Sequence, residues 1–173
     1  MAAEEKPMAV IAVYPGTFDP ITRGHEDILR RAARLFDQVV LGVAVAHHKK
    51  TLFSLEERMA MAREVLSDLP NLRVAPFEGL TRDFVRAQGG RVMVRGVRSV
   101  TDFDYETQLA TLNRELMPEV DTVFLTPSPE VQAISSTLVR EITQLGGPGD
   151  GERLVAPAVY AQLMAKRAQR QQG

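Results

Sequence analysis

Met8-Ala-Val-Ile-Ala-Val-Tyr-Pro-Gly-Thr-Phe-Asp-Pro-Ile-Thr-Arg-Gly-His25 is the stretch that decides the fold. Met8 to Tyr14 is a short run of apolar and β-branched residues with no polar alternation. That is the pattern of a strand buried on both faces. Pro15-Gly16 breaks the run. Beyond Gly24-His25 the apolar residues Ile28, Leu29, Ala32, Leu35 and Phe36 recur at helical spacing. A buried strand that feeds a helix through a glycine-marked loop is the opening of an alternating α/β chain.

The same alternation repeats outward from this unit. Gln38 to Ala46 reads as a second buried strand, and a polar loop, His47 to Thr51, follows it. Ser54-Leu-Glu-Glu57 has the form of a capping box, and Met59, Ala62, Val65 and Leu66 give the helix behind it an apolar face. Leu72 to Phe77 predicts a third strand, and Asp83 to Gln88 a short helix stopped at Gly89-Gly90. Arg91 to Val94 predicts a fourth strand that ends at Arg95-Gly96. Tyr105, Leu109, Leu112 and Leu116 mark one face of a helix that stops at Pro118. Val120 to Leu125 predicts a fifth strand, and Ser135–Gln144 and Pro157–Ala168 two closing helices. The expected fold is a Rossmann-like α/β domain: a doubly wound, five-stranded parallel sheet with helices on both faces. One domain spans residues 8–168, and the polar ends, 1–7 and 169–173, are expected to fray.

Composition narrows the function classes. The 173 residues carry a net charge of −1, so no global field draws the chain to nucleic acid or a membrane. There is no cysteine, which excludes disulfides, thiolate metal sites and thiol nucleophiles. The three histidines, His25, His47 and His48, do not make a metal cage. No stretch approaches the length of a membrane span, and residues 1–7 lack a signal-peptide core. A cytoplasmic protein is expected.

Ligands of doubly wound sheets collect at the carboxyl ends of the strands. Gly16, Thr17, Phe18, Asp19, Thr22 and His25 follow the first strand, and His47 to Lys50 the second. Arg95, Gly96 and Arg98 follow the fourth; Ser128 and then Ser135, Ser136 and Thr137 follow the fifth. Cations and hydroxyls gathered on one rim suit a polyphosphate. Thr22-Arg-Gly-His25 places an imidazole in the first turn of a helix, where the amides and dipole favour anions. Read alone, this loop fits either an anion site or a plain turn into a helix.

Tyr14 to His25 resembles the opening of the nucleotidyltransferase superfamily, marked by His or Thr, any residue, Gly, His. Arg95-Gly-Val-Arg98, Asp102-Phe-Asp-Tyr-Glu106, Leu109 to Pro118 and Ile134-Ser-Ser-Thr-Leu-Val-Arg140 are similar to segments of bacterial phosphopantetheine adenylyltransferases, in the same order. The resemblance runs from about Ala9 to Lys166. It implies adenylyl transfer from ATP to 4′-phosphopantetheine in coenzyme A biosynthesis, with Mg²⁺ arriving on the ATP, and a homohexamer. By resemblance His25 stabilises the α-phosphate. Thr17, Phe18, Gly24, Gly96, Val97, Arg98, Glu106 and the turn Val131, Gln132, Ala133, Ile134, Ser135, Ser136, Thr137 take the nucleotide. Thr17, Lys49, Thr81, Arg95 and Asn113 take the acceptor. No residue is assigned to a resident metal.

Two departures stand out. His47-His48 precede the lysine pair where family members often have proline, which leaves Lys50 able to share the role of Lys49. Thr137 stands where a third serine is common. Two rival readings are an adenylyltransferase for nicotinamide mononucleotide, which would use the same first loop, and a non-catalytic nucleotide sensor.

Overall fold

A computed structural model describes residues 8–46 and 50–171. Five strands, β1 (Ile11–Gly16), β2 (Gln38–Ala44), β3 (Leu72–Phe77), β4 (Val92–Gly96) and β5 (Asp121–Leu125), form one sheet. Four α-helices join them, α1 (Arg23–Leu35), α2 (Leu55–Val65), α3 (Thr81–Ala87) and α4 (Val100–Leu116), and two more, α5 (Ser136–Leu145) and α6 (Pro157–Gln171), follow β5. The strand order is β3-β2-β1-β4-β5 and every pair is parallel. The chain therefore winds one way from β1 and then the other, as the buried, unalternating strands predicted.

Period-two geometry sorts the strand residues between two cores. Tyr14, Val39, Leu41, Val43 and Val94 point to one face and pack against α1, α2, α5 and α6. Val13, Val40 and Met93 point to the other and meet Phe84 and Val85 of α3. Gly42 of β2 also turns to this second face. A Cβ there would stand 2.4 Å from the Phe84 ring, so the glycine is what admits α3 to the sheet. Pro76 lies in β3, an edge strand, where its missing N–H breaks no inner ladder.

The caps read from sequence are present. Ser54 accepts from the Glu57 amide at 3.2 Å, and the Glu57 carboxylate accepts from the Ser54 amide at 2.8 Å. Several expectations shift. β1 begins at Ile11 rather than Met8, which is exposed. α3 begins at Thr81. α6 continues past Ala168 to Gln171. α4 ends before Pro118, as expected, but its apolar face is largely outside the core: Tyr105 and Leu112 are 61% and 50% exposed, and Leu116 is also exposed. Periodicity marks an amphipathic helix but does not say what its stripe meets.

Candidate active site

The sheet reverses its winding between β1 and β4, and a crevice opens at their carboxyl ends, as such a switch point requires. β1 delivers the loop Thr17–Thr22 and then α1. Thr22 caps α1: its hydroxyl accepts from the His25 amide at 3.4 Å, while the Thr22 amide donates to His25 Nδ1 at 3.1 Å. Histidine thus stands where Glu or Gln usually completes a capping box. Because Nδ1 accepts, the ring proton belongs on Nε2. Tyr14 and Phe18 enclose the ring edge-on, with the Phe18 centroid 4.9 Å away.

His25 lines a cavity of about 200 Å³ with Tyr14 and Gly24 of the first unit, Gly96, Arg98 and Glu106 of the β4–α4 unit, and Ile134, Ser135 and Ser136 at the start of α5. Two helix N-termini, those of α1 and α5, therefore border one space. Gly24 makes this possible, since a Cβ there would lie 3.3 Å from the Ile134 carbonyl. Gly96 likewise brings β4 up to the Tyr14 hydroxyl, 3.2 Å from where its Cβ would be. An open depression beside Arg98 and Asp102, walled by Gln132 and Ala133, continues the cavity outward.

Charge in this crevice is closely controlled. Burial, helped by Arg98, pushes the His25 imidazole down from 6.5 to about 4. The ring is therefore neutral near pH 7 and acts as an N–H donor rather than a cation. Burial raises the Tyr14 phenol to about 12 against the pull of Arg95, so it too stays protonated. Arg95 donates through Nε and Nη2 to both oxygens of Glu106, at 2.7 and 2.8 Å. Burial opposes the charge on Arg95, but this bidentate pair outweighs it and holds the pKa above its ordinary value. Its Nη1 reaches the Pro15 carbonyl at 3.3 Å. Arg98 is held more loosely, 3.4 Å from Asp102. The crevice can offer a polyphosphate the Arg98 guanidinium, the neutral His25 donor, the hydroxyl of Ser135 and two helix N-termini, while the Ser136 hydroxyl donates to the Pro20 carbonyl at 2.8 Å.

Three residues to which the sequence reading gave no role of their own lock the rim together. Asp19 is buried and accepts the amides of Leu52 and Phe53 at 2.8 and 3.0 Å, which ties the first loop to the chain behind the residue-50 segment. Arg140 of α5 donates to the Asp19 carbonyl at 2.6 Å. Arg58 of α2 is 2% exposed and donates to the carbonyls of Thr17, Ala44 and Phe53, at 2.7, 2.9 and 3.3 Å. Arg58 carried one signal: with Leu55, Ala62 and Val65 it falls on the apolar stripe of α2. Asp19 carried none, because both of its amide donors lie more than thirty residues away. Gly16 also has another reason than close approach to an anion: the Phe18 ring fills the place of its Cβ, at 2.9 Å. Phe18 itself has φ 50°, a left-handed backbone uncommon for a bulky residue.

The remaining expected positions divide. Gly24, His25, Gly96, Arg98, Glu106, Ile134, Ser135 and Ser136 meet at the cavity. Both Glu106 oxygens already accept from Arg95, so its part there runs first through that arginine. The Val97 amide is taken by the Leu125 carbonyl at 3.0 Å, and the Phe18 side chain is buried in the core. Val131 closes a 3-10 turn (Pro129–Val131), and the Gln132 side-chain Nε2 donates to the Arg98 carbonyl at 2.6 Å. Thr137 accepts from Arg140 rather than lining the cavity. Thr17 lies on the rim. Thr81, the first residue of α3, and Asn113 of α4 stand apart from the His25 cavity. Ser128 binds Asp27 of α1 at 2.9 Å. Lys49, His47 and His48 lie outside the described residues.

Known proteins agree with this geometry. The cytidylyltransferase-like family profile matches residues 13–142. The phosphopantetheine adenylyltransferase of Acidovorax sp. (strain JS42) is 64% identical over 157 residues, covering 91% of this chain and 94% of the relative. That of Bordetella pertussis is 56% identical over 163 residues, covering 94% and 95%. The nicotinic acid mononucleotide adenylyltransferase of Plasmodium falciparum, solved with NaAD, superposes with a TM-score of 0.67 at 16% identity, over 91% of this chain and 95% of that one, and shares the fold. A cavity at the β1/β4 switch, a histidine in the first turn of α1 and near-full-length identity to these relatives lead to one conclusion: the chain belongs to the phosphopantetheine adenylyltransferase family.

Proposed function

We propose that this chain transfers an adenylyl group from ATP to 4′-phosphopantetheine, forming dephospho-coenzyme A and pyrophosphate, reversibly, as a step of coenzyme A biosynthesis. An oxygen of the acceptor phosphate bonds to the α-phosphorus of ATP. The bond from that phosphorus to the bridging oxygen breaks, and the electron pair leaves with pyrophosphate. The nucleophile is already ionised, so the protein's work is positioning and charge stabilisation.

The observation that carries this reading is the His25 ring. Its Nδ1 is engaged by Thr22, its Nε2 has no hydrogen-bond partner among the described residues, and it faces the crevice as a neutral donor. Nε2–H donates to an α-phosphate oxygen as charge builds there. Arg98, Gly24, Gly96, Ser135 and Ser136 hold the nucleotide. Thr17, Lys49 and Arg95 hold the acceptor phosphate, and Thr81 and Asn113 border its organic arm. Glu106 acts as a positioning residue that orients Arg95. Mg²⁺ enters with ATP; among the described residues no three His, Asp or Glu side chains gather to hold an ion of their own.

The reaction takes place in the cytoplasm, in a homohexamer. The exposed apolar face of α4 supports self-association, and no helix among the described residues is long and apolar enough to cross a membrane. Pyrophosphate release from MgATP, with 4′-phosphopantetheine and nicotinamide mononucleotide as parallel acceptors, tests the reading. Release with phosphopantetheine alone is expected. Release with the mononucleotide alone overturns the acceptor, and ATP binding without release in either arm indicates a sensor.

A further inference from the structure

α5, α6 and residues 50–52 border a groove of about 460 Å³ that shares no lining residue with the His25 cavity and is within the size range of small-ligand sites. Lys50, Arg140, Lys166, Arg167 and Arg170 converge on it, and no carboxylate lines it. Leu163, Lys166, Arg167 and Arg170 are spaced so that they share one face of α6. Lys166 is neutralised by Glu57 at 2.8 Å, and Arg140 lies 3.8 Å from Asp19. Among the described residues, no ion pair engages Lys50, Arg167 or Arg170.

We propose that this groove is a second anion site, separate from the His25 cavity, for a small ligand carrying two or more phosphate groups. Single-sign charge at this density is unusual on a chain whose total charge is −1. Guanidinium groups match phosphate oxygens two at a time. One phosphate would leave several of these cations unanswered, whereas two or more match them. The confined volume and the apolar Leu163 floor fit a small molecule rather than a polymer. Occupancy reaches the first loop through Arg140, which borders the groove and also donates to the Asp19 carbonyl.

The test titrates tripolyphosphate or fructose 1,6-bisphosphate into the full chain, by calorimetry, with the nucleotide pocket saturated by α,β-methylene-ATP and excess Mg²⁺. Saturable binding of at least one probe is expected; binding of the first alone identifies an inorganic polyphosphate site, and binding of the second a phosphorylated-metabolite site. Arg167→Ala/Arg170→Ala should weaken that binding ~10-fold or more and leave the affinity for the ATP analogue unchanged. Arg34→Ala/Arg91→Ala removes the same charge elsewhere and should change neither. Amide exchange of residues 50–54, whose Leu52 and Phe53 amides are held by Asp19, should slow on probe binding in the wild type but not in the Arg167/Arg170 variant. No binding of either probe to the analogue-saturated chain, or equal weakening in the two double variants, overturns the proposal. The outcome is independent of the acceptor assay.

Discussion

The two faces of the sheet are built to different standards. On one, α1, α2, α5 and α6 close a continuous core over Tyr14, Leu41 and Val43. On the other, α3 packs tightly through Phe84 and Val85, but α4 meets β5 through the Phe103 and Phe124 rings, 5.6 Å apart, and an exposed Arg114–Asp121 pair, and leaves a groove of about 280 Å³ beside it. The difference divides the crevice as well. The His25 loop is anchored from the closed face, by Arg58 of α2 and Arg140 of α5. Thr81 and Asn113, proposed for the acceptor, belong to helices of the open face. The first loop is thus held in place by core packing, whereas Asn113, together with Asp102 and Glu106, rides on a helix that the single chain supports only lightly.

The sharpest way to break this contrast is at Leu29, fully buried on the closed face. Leu29→Ala should destabilise the fold by about 2–5 kcal/mol through lost burial and a residual cavity, measured by urea denaturation. A loss under about 1 kcal/mol would show that the face is less closely packed than its burial indicates.

Next in size is His25→Ala. It should lower kcat by ~10²–10³ and leave ATP affinity within a few-fold, because the ring donates to charge that develops only during transfer. Equal losses in binding and turnover would assign His25 to the ground state. The same substitution changes the response to acid. The folded pKa of about 4 lies below the ordinary 6.5, so the unfolded chain takes up this proton first. The stabilising contribution is complete above 6.5 and is lost as the pH falls toward 4. Urea midpoints of the wild type should fall more steeply than those of His25→Ala across that window; parallel curves would mean the ring is not held neutral.

Much of this contrast was legible in the sequence on one face and little on the other. Unbroken apolar strands give a parallel sheet, Ser54 with Glu57 gives the start of α2, and β3 lies where Leu72 to Phe77 predicts it. Those signals are local. The anchors of the first loop are not: Arg58 reaches Thr17 across 41 positions and Arg140 reaches Asp19 across 121. Such bonds to backbone carbonyls leave no pattern in residue type. The α4 stripe located its helix but not what the stripe meets, since the same spacing of Tyr105, Leu109, Leu112 and Leu116 serves an internal core and an external contact equally well.

Lys49→Ala probes the acceptor side and should mainly raise the acceptor KM, by ~10-fold for one lost charge-assisted contact, with kcat less affected. Unchanged acceptor kinetics would move the role to Lys50 or Arg95. Either result separates acceptor binding from the His25 effect, because the two substitutions act on different substrates.

The smallest expected effect is the most informative about α4. In a single chain Leu112 is half exposed, so Leu112→Ala removes little buried area and should change stability by no more than about 0.5 kcal/mol. That value holds only if the helix faces water. In a homohexamer that covers α4, the same truncation would cost 1 kcal/mol or more and make the unfolding midpoint depend on protein concentration. Denaturation at two concentrations tenfold apart separates the cases. A concentration-dependent loss would show that α4 is covered by a second copy, and that the helix carrying Asn113 is stabilised by assembly rather than by the core of its own chain. A small, concentration-independent change would leave α4 as a solvent-facing helix.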